Sequence, residues 1–174
     1  MDKRYFSGNG VDQILAQESA GGSVLWALTD QLGTVNDWVN NSGSVANHVR
    51  YDSFGGVVSQ SNSAFGSRYG FTGREFDAET GLYYYRSRYY NPGMGRFIGE
   101  DSVGFGGGDA NLYRYVGNSP VNGVDPSGTT SFPLQVLLQL SQRGSENRQV
   151  YTGYPPAENY NDALIRATKL LIDW

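Results

Sequence analysis

Cysteine is absent from this chain, and histidine occurs once, at His48. The first absence excludes disulfides and thiol catalysis and leaves the redox compartment open. The second argues against a Ser-His-Asp triad and a histidine zinc site. His48 lies in a segment of alternating polarity and reads as a packed or surface side chain. Charged residues make up only 17% and the net charge is −4, so no basic footprint exists for nucleic acid. No apolar run approaches the ~20 residues a bilayer span needs, and no membrane span is expected. The opening MDKRYFSGNG lacks the apolar region of a secretory signal. Export is therefore expected to use another route, or the chain is a fragment of a longer one. The run GFGGG at 104–108 has no Lys-Ser or Lys-Thr after it, so it is not a phosphate loop. No cofactor or metal is expected. Asn40, Asn41 and Ser42 fit the glycosylation pattern, which carries little weight without an export signal.

What the chain has in quantity is turn formers and aromatics: 24 glycines and 13 tyrosines. Together they suit short strands joined by many turns. Residues 4–17 read as strand with a turn at Asn9 and Gly10, because both residues tolerate positive φ. Strands are expected at 23–29, 34–39, 44–51 and 56–59, with turns at 30–33, 40–43 and 52–55. In SVANHVRY, at 44–51, the two-residue period puts Val45, Asn47, Val49 and Tyr51 on one face. A polar loop at 60–67 follows, then strands at 68–73 and 82–90 joined by a turn at 78–81. Strand, glycine turn, strand recurs with a period of roughly 20 residues, the mark of stacked units that bury a face only against neighbours. The fold class expected is mainly β, built of antiparallel hairpins. Beyond Gly128 the character changes. The apolar run at 132–140 fits strand or helix. Residues 161–174 read as a short helical tail with Leu164, Ala167, Leu171 and Trp174 on one stripe and Asn161 as N-cap.

Carboxylates recur in two short phrases, DSVG at 101–104 and DPSG at 125–128. As local chemistry both read as turns: Asp caps its own turn, Pro presets φ and Gly supplies positive φ. Glu100 and Asp109 lie nearby. Arg86, Arg88 and Arg96 stand among tyrosines and fit stacking on aromatic faces.

Taken in order, the words DQLGTV at 31–36, YDSFG at 51–55, FTGREFDAETGLYYYRSRYYNP at 71–92, GRF at 95–97, NLYRYVGNSP at 111–120 and DPSG at 125–128 resemble the Rhs repeat-associated core domain. That domain ends the YD-repeat shell of bacterial Rhs toxins and of Tc toxin C components. The resemblance implies that the hairpins form part of a spiralling β-shell. It implies a constant core over 1–128 and a variable tail over 129–174. It also implies that the core cuts its own chain, as an aspartic protease acting only on itself, and releases the tail as a passenger. On the matching positions Asp101 and Asp125 would be the carboxylate dyad and Arg88 the supporting cation, with cleavage at Thr129 and Thr130. Two carboxylates sharing a site hold one proton between them, which lets the pair activate water and protonate a leaving nitrogen. Ser102 stands where the family phrase has proline, and Thr129 where leucine is usual. The partners implied are the chain's own C-terminal passenger, upstream YD repeats and a secretion apparatus. The implied location is a bacterial cytoplasm before export, then outside the cell or on its surface. Two other readings stay open: a non-catalytic structural or cell-surface interaction module, and an inactive orphan fragment.

Overall fold

The computed structural model describes residues 3–129 and 131–133, which lie in a compact unit spanning Met1–Leu134. Thr130 and the helix expected over 161–174 lie outside the described residues. Among the described residues the architecture is antiparallel β with almost no helix: a six-stranded sheet, a four-stranded sheet and a two-stranded ladder.

The six-stranded sheet is a meander. Strands β1 (Lys3–Ser7), β2 (Ile14–Ser19), β3 (Val24–Thr29), β4 (Val35–Val39), β5 (Val45–Tyr51) and β6 (Val57–Gln60) pair in sequence order. One local device makes three of its turns. Asp30, Asn40 and Asp52 each accept a bond on the backbone carbonyl from a glycine three residues on: Gly33 at 3.0 Å, Gly43 at 2.9 Å and Gly55 at 3.1 Å. Each also caps two further amides with its side-chain Oδ1. The glycines stand at φ 81, 81 and 86, left-handed values that side chains resist. The register shifts beside these turns, in β3 and β4 and at the end of β5, as such loops require. The buried face carries Ile14, Leu25, Val35 and Trp38. Within β5 the alternation puts Asn47 and Val49 inside, while Val45 at the strand's start is exposed.

Two segments depart from the sequence reading. Residues 68–73 do not form a strand. Tyr69 makes a single bridge to Glu75, and Phe71–Gly73 is a 3-10 turn with Thr72 at φ 49. The strand lies just after it, at β7 (Glu75–Asp77). Residues 82–90 are two strands, β8 (Leu82–Tyr85) and β9 (Arg88–Asn91), folded back through Arg86 and Ser87. Neither residue is Gly or Asn, so nothing local announces the turn; Arg86 takes φ 60.

With β10 (Arg96–Phe97), these strands make the second sheet, in the order β10-β9-β8-β7. Its core is aromatic: Phe71, Tyr83, Tyr85, Tyr90, Phe97 and Tyr115. Burying an aromatic side chain is worth about 1.5–3 kcal/mol, provided its hydroxyl finds a partner. Here they do. Tyr83 donates to the Gly55 carbonyl at 3.1 Å and Tyr90 to the Phe54 carbonyl at 2.7 Å. Tyr85 lies 3.2 Å from the Tyr115 hydroxyl and 2.8 Å from that of Thr72. The first two bonds tie the aromatic cluster to the β5–β6 turn of the first sheet. After Tyr115 the chain runs to β11 (Gly123–Val124), turns at 125–128 and returns as β12 (Phe132–Pro133), which pairs with β11. Among the described residues no helix is long and apolar enough to cross a membrane.

Candidate functional site

Both acidic phrases fold as the turn already seen in the hairpins. Gly104, at φ 61, donates to the Asp101 carbonyl at 2.9 Å, and Val103 donates to Asp101 Oδ1 at 2.9 Å. Gly128, at φ 73, donates to the Asp125 carbonyl at 3.3 Å and to its Oδ1 at 2.9 Å, and Thr129 adds 3.1 Å to the same Oδ1. In each aspartate one carboxylate oxygen is thus committed to its own turn. What sets these two turns apart is the other oxygen.

Asp101 Oδ2 and Asp125 Oδ2 both meet the same atom, Nη2 of Arg88, at 2.9 Å and 3.4 Å. Arg88 opens β9, and its side chain crosses to these turns over the ring of Phe97, with Cζ 3.7 Å from the centroid. Its other two nitrogens are engaged as well. Nη1 donates to the Leu112 carbonyl at 2.8 Å, and Nε donates to the Gly128 carbonyl. Leu112 also accepts from the amide of Asp101 at 3.0 Å, so one carbonyl fixes both partners. Arg88 and Asp125 are nearly sealed from solvent, with 6% and 4% of their side chains exposed, and Asp101 is at 12%. Burial pulls the guanidinium below its ordinary pKa, and the two carboxylates act against that. One cation between two carboxylates offsets their repulsion.

The second turn ends at Thr129. Thr129 is buried, and its hydroxyl lies 3.0 Å from that of Ser127, which donates to Asp125 Oδ1 at 3.2 Å. Asp101 Oδ2 and the Thr129 carbonyl both lie 3.9 Å from where a Cβ on Gly107 would stand. The rival carboxylates are engaged elsewhere: Asp109 with Arg114 at 3.3 Å, and Glu100 with the Tyr113 hydroxyl at 3.0 Å. His48 pairs across strands with Asp37 at 2.6 Å, in the first sheet. Arg96 stacks over Tyr113. The contributions of the Leu112 and Gly128 carbonyls, and of Ser127, have no signal in residue type. Carbonyls are common to every residue, and a serine in a turn is ordinary. Among the described residues no three His, Cys, Asp or Glu side chains come together as a metal site.

Comparison with known proteins agrees with this architecture. Residues 12–121 match the family model of the Teneurin YD-shell. The toxin subunit YenC1 of Yersinia entomophaga is 34% identical over 115 residues, covering 64% of this chain and 12% of that protein. The protein YlbH of Escherichia coli K12 is 38% identical over 101 residues, covering 58% of this chain and 42% of its own. The chain therefore spans less than half the length of these curated relatives. Among solved structures, a chain of the Tc holotoxin pore of Photorhabdus luminescens superposes with a TM-score of 0.63 at 25% identity, over 75% of this chain and 7% of that one. Tandem antiparallel hairpins, glycine turns at regular spacing and a match over more than half the sequence lead to one assignment: the chain belongs to the Teneurin YD-shell family.

Proposed function

We propose that this chain is the closing segment of a toxin-type YD-repeat shell, and that it cuts its own backbone beside Asp125. Arg88 holding Asp101 and Asp125 on one nitrogen, with its Nε on the Gly128 carbonyl, is the observation that carries the reading. In the reaction, one carboxylate takes a proton from water as the oxygen attacks the carbonyl carbon of Thr129. The other, protonated, gives its proton to the nitrogen of Thr130 as the C–N bond breaks. The pair must hold one proton between them at the start, so the rate's pH profile belongs to the pair. Arg88 keeps the two carboxylates together and fixes the turn that presents the bond. Residues 129–174 are then the passenger. The relatives named as toxin components support the setting: upstream repeats complete the shell and a secretion apparatus delivers it outside a bacterial cell. Intact-mass measurement of freshly purified protein tests the cut. Wild type is expected to give a fragment ending at Thr129, and Asp125→Asn to stay whole. Wild type that remains whole from mildly acidic to neutral pH rules the cut out.

A non-catalytic shell module is the second reading. It is favoured by the turn bonds of both aspartates, which repeat those of the plain hairpins.

A further inference from the structure

The loop joining β8 to β9 is only two residues, Arg86 and Ser87, between the paired Tyr85 and Arg88. Arg86 stands at φ 60. Hairpin loops normally give that conformation to Gly or Asn, because a Cβ strains it. An arginine kept there points to a use for its side chain. The guanidinium of Arg86 donates from Nη1 to the carbonyl of Pro126, inside the second acidic turn. It also grips Asp12, with Nη2 2.5 Å from Oδ1 and Nη1 3.3 Å from Oδ2.

Asp12 belongs to the other sheet, in the loop between β1 and β2, and is itself at φ 52. Buried Arg74 meets the same oxygen, Nη1 to Oδ1 at 2.8 Å, and is anchored in turn on the Tyr84 carbonyl at 3.0 and 2.6 Å. The backbone of Asp12 packs against Gly73, where a Cβ would stand 2.3 Å from the Asp12 carbonyl oxygen. The same β8–β9 loop also meets the acidic turn directly. The Ser87 amide donates to the Ser127 carbonyl at 3.2 Å, and a Cβ on Gly128 would stand 2.3 Å from the Tyr85 carbonyl. A continuous line of contacts thus runs from the first hairpin of the six-stranded sheet, through Asp12 and Arg86, to Pro126.

We propose that Asp12 and Arg86 are positioning residues that latch the turn at 125–128 in its cutting geometry, so that self-cleavage depends on the first hairpin being docked. The proposal rests on the self-cleavage reading for its consequence but not for its contacts. Neither residue touches the reacting atoms. Arg86 acts through Pro126, one position from Asp125, and Asp12 acts through Arg86. A shell built this way does not cut until its neighbouring sheet is in place.

The test uses the full 174-residue chain and three variants: Arg86→Gly, Arg86→Lys and Asp12→Asn. Three quantities are read on each: the self-cleavage rate by intact mass, the melting temperature, and amide hydrogen exchange at Gly128 and Thr129. Arg86→Gly relieves the left-handed strain, so its melting temperature is expected not to fall. Its exchange at 128–129 rises and its cleavage slows, each by about tenfold or more, the scale of one lost charge-assisted bond. Millimolar guanidinium restores part of the rate. Arg86→Lys falls between wild type and Arg86→Gly, and Asp12→Asn follows the same pattern more weakly because Arg74 retains an acceptor. Unchanged exchange at 128–129 in Arg86→Gly overturns the latch, as does a slowed rate that only tracks a lowered melting temperature. If wild type never cuts, the self-cleavage reading falls, while the exchange measurement still decides whether Asp12 and Arg86 hold the turn.

Discussion

At the scale of single residues, Asp125 carries two duties on two oxygens, and substitutions separate them. Asparagine retains the oxygen that accepts from Gly128 and Thr129 but loses the charge facing Arg88. Asp125→Asn is therefore expected to remain folded with little change in turn structure and to lose self-cleavage. Asp125→Ala loses the cap as well and leaves buried donors without it, a cost of about 2–4 kcal/mol at ~1 kcal/mol or more per bond. Urea unfolding of the two variants checks this; equal destabilisation contradicts the division of labour. Arg88→Lys tests the cation. A lysine ammonium cannot span two carboxylates and two carbonyls in one plane, so cleavage is expected to fall at least about 100-fold while charge is conserved. None of this convergence is legible from residue type. Arg88 and Asp125 are 37 residues apart, and the phrases of Asp101 and Asp125 look like the plain turns at 30–33 and 52–55. Only the ordered words shared with a family single them out.

At the scale of elements, glycine turns were the readable part of the fold. An Asp or Asn followed three residues later by Gly marks 30–33, 40–43 and 52–55, and each forms with the glycine at positive φ. The hairpin at 82–91 was not readable, because Arg86 fills a place where the usual signal is Gly or Asn. The strand expected at 68–73 failed for a related reason. Thr72 is β-branched and reads as strand, yet it is held at φ 49 by its buried bonds, its amide to the Thr34 hydroxyl at 3.1 Å and its own hydroxyl beside Tyr85 at 2.8 Å. Tertiary bonds outweigh local preference there. The glycines themselves are not equivalent. Gly43→Ala meets nothing within 4 Å and pays only the left-handed penalty, about 1–2 kcal/mol. Gly128→Ala adds a Cβ 2.3 Å from the Tyr85 carbonyl, so the turn must move. It is expected to cost well over 2 kcal/mol and to stop cleavage. Chemical denaturation of both, with intact mass on the second, decides the ranking.

At the scale of the whole molecule, the tyrosine core sets an alkaline limit. Burial pushes Tyr83, Tyr85, Tyr90 and Tyr115 well above the usual phenol range. Tyr51 is pushed up to about 12 by burial and then by Asp30. In the unfolded chain these phenols titrate near pH ~10. Between that pH and the higher folded values, the unfolded chain sheds protons that the folded chain retains. Stability from these groups is complete below pH ~10 and falls as pH rises toward 12. The melting temperature is expected to be level from about pH 7 to 9 and to drop steeply above ~10, together with the appearance of phenolate absorbance. A level profile to pH ~11.5 contradicts it.

The short ladder between β11 and β12 gives the proposed cut an aftermath. Gly123 pairs with Pro133 and Val124 with Phe132, so the two sides of the broken bond remain stitched to each other. Severance and departure are then separate events. The nicked chain is expected to travel as one particle through a sizing column in native buffer and to split under denaturant or when the ladder is peeled from one end. A two-residue seam peeled from one end opens one bond at a time, like a zip, and yields to a smaller force than a shear along the strands, which loads its bonds together. For the proposed cut, whatever draws on the tail, rather than the chemistry at Asp125, is expected to set the moment at which the pieces part.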